Sequence, residues 1–228
     1  MDKGNVGSLF DSIAGTYDRF NHLLSLNVDR RWRRRAVRRM TRCESVLDVA
    51  VGTADLSLEI IRQDKASKVT GIDISRGMME VGKEKVGKAG LSERISFLEA
   101  SAFGMPFGDG CFDAVTCAYG VRNFAELDKG LSEMHRVLRK GGELMILEFS
   151  YPENPLVRRI YDLFFTHIMP LVGKAVSRNG GAYIYFRNSV KEFIWGEEMA
   201  SKIASAGFRN VRFKTMTFGI STVYYAEK

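Results

Sequence analysis

Three carboxylates and one glycine carry the first chemical signal in the chain. Asp48, Gly52 and Asp55 fall in the stretch VLDVAVGTAD, and Asp73 follows 21 positions beyond Gly52. An apolar run closed by glycine lets the backbone approach a ligand, and a helix starting there offers unpaired amides. A carboxylate about 20 residues further on, closing the next strand, is placed to take the hydroxyls of a ribose. These residues point to a nucleoside. They do not point to a dinucleotide, because the GxGxxG that cradles a pyrophosphate is replaced by Gly52-Thr53-Ala54-Asp55-Leu56-Ser57, with a single glycine. Asp48 and Asp55 would repel phosphates, yet they suit a cationic cofactor bearing an amino acid, such as S-adenosylmethionine. Both also have plain structural readings, Asp48 as a strand terminus and Asp55 as a helix cap.

Such residues need a scaffold, and the hydrophobic pattern supplies one. From residue 45 onward apolar runs alternate with helical periodicity: SVLDVAV, ADLSLEIIRQ, KVTGIDI, SRGMMEVGKEKVGKAG with Ser75 as its cap, RISFLEAS, CFDAVTCAYG, AELDKGLSEMHRVLR and KGGELMILEFS. The pattern predicts an α/β fold, a doubly wound and mostly parallel sheet whose ligand edge lies at the carboxyl ends of the strands. After Pro152 and Pro155 the rhythm breaks into an aromatic-rich insertion, followed by the helix GEEMASKIASAGF. RNVRFKTMT and ISTVYYAEK then end the chain as two strands joined by Phe218 and Gly219, a link too short for a parallel crossover. An antiparallel final pair combined with Asp73 favours the methyl donor.

Size and charge set further bounds. With 228 residues, 45% of them hydrophobic, the chain suits one domain. We divide it into an N-terminal helical lid (1–43), a cofactor-binding core (44–150), an acceptor-side insertion (151–196) and a closing helix with a strand pair (197–228). The formal charge of +7 resides entirely in residues 29–42, which hold eight arginines and one aspartate; the remainder is balanced. One segment, not a basic surface all round, carries the charge. Three cysteines without CxxC spacing or a histidine cluster argue against a disulfide framework and against a metal site, and fit a reducing cytoplasm. MDKGNVGSLFDS lacks the apolar core of a secretory signal. IYDLFFTHIMPLVGKAV is interrupted by Asp162, His167, Pro170 and Lys174, short of the ~20 apolar residues of a membrane span.

Together these stretches resemble the ubiquinone/menaquinone biosynthesis C-methyltransferase family, within the class I S-adenosylmethionine-dependent methyltransferases. The resemblance runs almost end to end, through FDSIAGTYDRFNHLLSLNVDRRWRR, LDVAVGTAD, GIDIS, MPFGDGCFDAVTCAYGVRNF, RVLRKGGELMILEFS, YDLFFTHIMPLVG, YIYFRNSVKEF, AGFRNV and TFGI. It implies a seven-stranded sheet with an antiparallel last strand. It also implies S-adenosylmethionine held through Thr53, Asp73 and the Ser101-Ala102 pair, with the adenine near Ser101 and the ribose on Asp73. Ala54 stands where the family also has glycine, Ala118 where serine is common, and Ile194-Trp195 where a phenylalanine-proline pair often follows.

The implied reaction methylates a ring carbon of a prenylated quinol, most simply demethylmenaquinol to menaquinol. A ubiquinone precursor or another small aromatic acceptor is the alternative. Ring carbon becomes nucleophilic when a neighbouring hydroxyl loses its proton, so the enzyme must align carbon, methyl and sulfur and exclude water. Arg122 and Asn123, directly beyond the fourth strand, are the catalytic candidates, Arg122 to stabilise phenolate charge and Asn123 to orient the ring oxygen; a surface salt bridge is the structural reading of Arg122. Tyr17 and Asp18 would close over the site from the lid. His135 reads as structural, His22 and His167 as packed or capped, and Cys117 as core.

The arginine run RRWRRRAVRR remains. Val28, Trp32, Ala36 and Met40 recur every four positions with Val37 beside them, so 28–42 reads as an amphipathic basic helix packed by its tryptophan stripe, with solvated arginines outside. Attraction to an anionic membrane surface is compatible with that packing, since a polyprenyl quinol is collected from a bilayer. A basic RNA-binding or scaffolding protein on a retained nucleotide fold is the outsider. AYGVRN lacks the proline-aromatic stretch that holds a flipped base, so no nucleic-acid partner is expected. The sequence leaves an oligomer open.

Overall fold

A computed structural model describes residues 6–25, 27–168 and 180–228. The chain runs α1 (Val6–Leu24), α2 (Val28–Arg38), β1 (Cys43–Val49), α3 (Asp55–Arg62), β2 (Ala66–Asp73), α4 (Arg76–Lys88), β3 (Ile95–Glu99) and β4 (Phe112–Ala118). A 3-10 turn (Val121–Asn123) leads to α5 (Leu127–Val137) and β5 (Leu138–Phe149). Then come α6 (Pro155–Leu163) with a π-helical extension (Phe164–Ile168), α7 (Gly180–Glu192), α8 (Glu197–Ser205), β6 (Arg209–Met216) and β7 (Ser221–Glu227).

All seven strands form one sheet in the order β3-β2-β1-β4-β5-β7-β6, with β7 antiparallel to both of its neighbours and the other pairings parallel. The strand order reverses between β1 and β4, which opens a crevice at their carboxyl ends. Both faces of the sheet are covered, and strict alternation decides which residue goes where. Val46, Ala114, Met145, Leu147 and Val223 pack with α2, α3 and α4, whereas Leu47, Val115, Cys117, Ile146 and Tyr224 pack with α5 and α8. Burial on both sides explains why these strands read as unbroken apolar runs.

Local rules account for the helix ends nearest the crevice. Ser75 caps α4 by accepting from the Met78 amide at 3.2 Å, as its position predicts. Asp55 corrects the expectation of a cap: it is the first residue inside α3, after Ala54 in a left-handed conformation, and it pairs with cations instead. α2 ends at Arg38, short of the expected 42; its stripe Trp32, Ala36 and Val37 is buried together with Met40 just beyond its end, and Trp32 Nε1 donates to Thr217 Oγ1 at 2.8 Å. Six arginines of the run are exposed, but Arg33 is not, a departure from a wholly solvated face. Among the described residues no helix is long and apolar enough to cross a membrane.

Candidate active site

The loop after β1 turns back on the sheet through an unusual density of left-handed residues: Ala50 (φ 56°), Gly52 (φ 52°) and Ala54 (φ 64°). Non-glycine residues held there store of order 1 kcal/mol each or more, a cost that surrounding contacts must offset. Val51 supplies one, with its amide on Ile72 O at 2.9 Å and its side chain lying on Gly71, where a Cβ would come within 2.6 Å of Val51 Cγ2. Asp73 supplies another: Oδ2 accepts from the Gly52 amide at 2.8 Å and Oδ1 from the Ser75 amide at 2.9 Å. Burial raises the Asp73 carboxyl above its ordinary range, opposed by those backbone donors.

Gly120, after β4, closes the floor. A Cβ there would lie 2.7 Å from both Ala50 Cβ and Cys117 Sγ, so the loops after β1 and β4 touch only because it is absent. Above this floor opens a cleft of about 800 Å³, counted to its mouth. Gly52, Asp73, Ser101, Ala102, Ala118 and Asn123 line it, together with Phe10 of α1. Among the described residues that line it, none is basic.

Asn123 is fixed from outside the cleft: its Oδ1 accepts from the Tyr185 hydroxyl at 3.0 Å, and Nδ2 faces Tyr119 O at 3.5 Å. Arg122 stands behind the wall, not in it. Only 4% exposed, its guanidinium pairs with Glu148 Oε1 at 2.8 Å, donates to Tyr119 O, and lies 5.4 Å from each of the Phe149 and Phe186 ring centres. The Arg122 amide also donates to Glu148 Oε2 at 3.2 Å. Glu148 is 1% exposed, and burial raises its carboxyl while Arg122 lowers it.

A second hollow of about 410 Å³ adjoins the cleft and shares Ala50, Gly52, Ala118 and Tyr119 with it. Thr53 and Asp48 line this hollow. Asp48 accepts from Ser57 Oγ at 2.6 Å and Thr116 Oγ1 at 3.0 Å; burial pushes its carboxyl up to about 6 against those bonds. Arg33 reaches in from α2, bonded to Asp29 at 2.5 Å and Asp55 at 2.8 Å, with Tyr119 beneath it. The first helix is bolted on here: Thr53 Oγ1 donates to Asp18 at 2.6 Å, Lys85 to Asp18 at 2.8 Å, and Ser75 Oγ to Asp11 at 2.6 Å.

Set beside known proteins, the chain matches the ubiE/COQ5 methyltransferase family over residues 1–228. It belongs to that family. It is 44% identical over 225 residues to a protein of Bacteroides fragilis named demethylmenaquinone methyltransferase, covering 98% of this chain and 92% of the relative. It is 45% identical over 231 residues to the ubiquinone/menaquinone biosynthesis C-methyltransferase UbiE of Geobacter sulfurreducens, covering 100% and 90%. Among solved structures the [4+2]-cyclase SpnF superimposes with a TM-score of 0.75 at 17% identity, covering 100% of this chain and 97% of that one. An S-adenosylmethionine-dependent methyltransferase of Thermotoga maritima gives 0.67 at 18%, covering 97% and 99%. At such identities the likeness is one of fold, and the cyclase shows that this fold carries other chemistry too.

Within this ubiE/COQ5 member the expected residues divide into three places. Gly52, Asp73, Ser101, Ala102 and Asn123 meet in the cleft; Asp48 and Thr53 lie in the adjoining hollow; Arg122 is behind Asn123. Tyr17 belongs to α1, its side chain outside the described residues, as is that of His22. Ile194 packs on the α5/α8 layer and, like Trp195, does not line the cleft. His135 rests edge-on against Phe208, 4.9 Å between centres. Sequence reading passed over Arg33, Lys85, Asp11, Glu148 and Tyr185. Only Glu148 left a signal, an acid inside the apolar run MILEF.

Proposed function

We propose that this protein methylates a ring carbon of demethylmenaquinol, with S-adenosylmethionine as donor, to give menaquinol. The observation that carries this reading is Asp73, a carboxylate held by two backbone amides in a largely apolar cleft, with no basic side chain among the described residues of its lining. A diphosphate would find no counter-charge there, whereas a ribose diol and a sulfonium would meet a carboxylate and apolar walls. The full-length relation to proteins named as quinone methyltransferases supports the acceptor.

On this reading Asp73 takes the ribose hydroxyls, Ser101 and Ala102 border the adenine, and the amino-acid end enters the hollow of Arg33, Asp48 and Thr53. When bound, the cofactor supplies an electrophilic methyl on a cationic sulfur. The chain's own contribution lies in placement and in stabilising the deprotonated quinol. Asn123, with its carbonyl occupied by Tyr185, is left with the amide Nδ2 to donate to the ring oxygen. Arg122 acts through position: its charge is largely matched by Glu148 at 2.8 Å, so it holds the 121–123 turn and the Tyr119 carbonyl more than it projects a field into the cleft. The exposed arginines of α2 would draw the protein to an anionic membrane, at about 1 kcal/mol for each residue near the surface.

The test uses purified protein, S-adenosylmethionine and a short-chain demethylmenaquinol kept reduced. We expect a product one methylene heavier, with the new carbon on the ring, and no product from the oxidised quinone. Methyl transfer to oxygen, or equal transfer to the oxidised ring, would show that the phenolate route is wrong.

A further inference from the structure

α6 is amphipathic on two sides. Its inner face joins the acceptor side, with Tyr161 and Phe165 4.3 Å apart by ring centres and Phe165 stacked 5.9 Å from Phe186, one of the two rings around Arg122. Its outer face carries Leu156 (68% exposed), Ile160 (60%) and Leu163 (51%), spaced i, i+4, i+7 on one stripe. The turn between β6 and β7 adds Phe218, 81% exposed and held at φ 56°, a conformation an aromatic residue rarely adopts. That turn lies beside the segment leading into α6: Ser150 Oγ donates to Gly219 O at 2.8 Å. Both features rise from the carboxyl edge of the sheet, where the cleft opens.

Charge selects the occupant. Arg158 and Arg159 sit on α6, Arg158 bonded to Pro152 O and stacked over Tyr151, and neither has a carboxylate partner among the described residues. The helix's own acid, Asp162, is spent on Tyr151 at 2.6 Å and Lys191 at 2.9 Å; Glu153 is exposed ahead of the helix. Exposed leucine, isoleucine and phenylalanine beside uncompensated arginines match a layer that is apolar beneath an anionic surface. We infer that α6 and the Phe218 turn form a bilayer-docking face, with Leu156, Ile160, Leu163 and Phe218 among the acyl chains and Arg158 and Arg159 at the headgroups. The choice of a bilayer rests on the reading of the acceptor as a prenylated quinol, which such docking would bring to the mouth of the cleft.

Cosedimentation with phosphatidylcholine vesicles containing phosphatidylglycerol, without cofactor or quinol, tests the face directly. The variant Leu156→Ser/Ile160→Ser/Leu163→Ser should lose about tenfold or more in vesicle partition, and Phe218→Ser a smaller share. Transfer to a short-chain acceptor in solution should stay unchanged, while transfer to a long-chain acceptor in vesicles falls with the partition. Arg30→Gln/Arg34→Gln/Arg38→Gln on α2 should cost less, and its effect should vanish in high salt. Wild-type protein that ignores the vesicles, a triple serine variant that partitions like wild type, or a larger loss from the α2 variant would each overturn the inference. So would a wild-type dimer that the triple variant splits in the centrifuge, because a second copy would then own the face. Absence of methyl transfer to the soluble acceptor with vesicle partition intact would instead reject the acceptor reading alone.

Discussion

On the proposed function the cleft has a nucleoside half and an acceptor half, and the two are built on opposite principles. The nucleoside half is made of backbone: left-handed Ala50, Gly52 and Ala54, a Gly120 with no room for a side chain, and one carboxylate that fastens two loops. The acceptor half is made of side chains brought from afar: Glu148 onto Arg122, Tyr185 onto Asn123, and a run of aromatic rings from Phe149 through Phe186 and Phe165 to Tyr161. A site fixed by its backbone keeps its shape when one neighbour changes. A site fixed by long-range pairs can be re-aimed at a new acceptor by substituting their members, but each member is exposed to larger energetic loss.

The largest loss is expected from the buried ion pair. Glu148→Leu takes the carboxylate away from the buried Arg122 guanidinium, which should cost about 3–5 kcal/mol of stability in chemical denaturation. The double variant Arg122→Met/Glu148→Leu should regain most of that stability without regaining turnover. Recovery of turnover as well would mean that the pair serves only the fold.

Asp48, in the hollow that adjoins the cleft, provides the counterpart. Its carboxyl is raised to about 6 by burial, so between about pH 4 and about pH 6 the folded protein binds more protons than the unfolded chain. This contribution is fully present below the unfolded pKa and is lost as the pH climbs through the folded one, a fall of roughly 2–3 kcal/mol. Asp48→Asn removes the titration, so the gap in stability between variant and wild type should shift in the variant's favour from pH 4 to pH 7. A gap that stays constant over that range would show that Asp48 does not titrate there.

Asp73→Ala should follow, because it removes the acceptor of the Gly52 and Ser75 amides as well as the proposed ribose partner. Calorimetry is expected to show about a hundredfold weaker S-adenosylmethionine binding, equivalent to ~2–3 kcal/mol. The KM for the quinol should hardly move. If the quinol constant changes in step, the two halves are coupled and the contrast between them fails.

The contrast also explains what could be read from the sequence. Apolar runs, the Ser75 cap, the solitary glycine and the carboxylate at the end of the second strand are local features with fixed spacings, so the sheet and the meeting of Gly52 with Asp73 at its edge were legible. Arg33 and Asp11 were not, because charged residues on helices are ordinarily solvated. Only folding brings Arg33 to Asp55, 22 positions away, and Asp11 to Ser75, 64 positions away. Arg122 and Asn123 were found by their place after the fourth strand. Their partners were invisible for the same reason of separation, so the salt bridge of Arg122, read as a surface pair, is instead buried against Glu148. Ile194 and Trp195 illustrate the reverse, conspicuous side chains that are not among the residues lining the cleft.

The smallest effect should be the most specific. Tyr185 donates to Asn123 Oδ1 at 3.0 Å from a half-buried position, and burial raises its hydroxyl above the ordinary range, so it remains a donor across the working pH. Tyr185→Phe keeps the ring and removes one hydrogen bond, worth about 0.5–1.5 kcal/mol. With its carbonyl released, the Asn123 amide is free to rotate and offer oxygen where the ring oxygen needs a donor. Turnover should therefore drop by up to about tenfold, with stability and S-adenosylmethionine affinity nearly unchanged. Asn123→Asp, which presents only acceptors to a developing phenolate, should fall further than Tyr185→Phe, and combining the two should add little. Additive losses would show that the tyrosine acts on the acceptor directly and not through the asparagine.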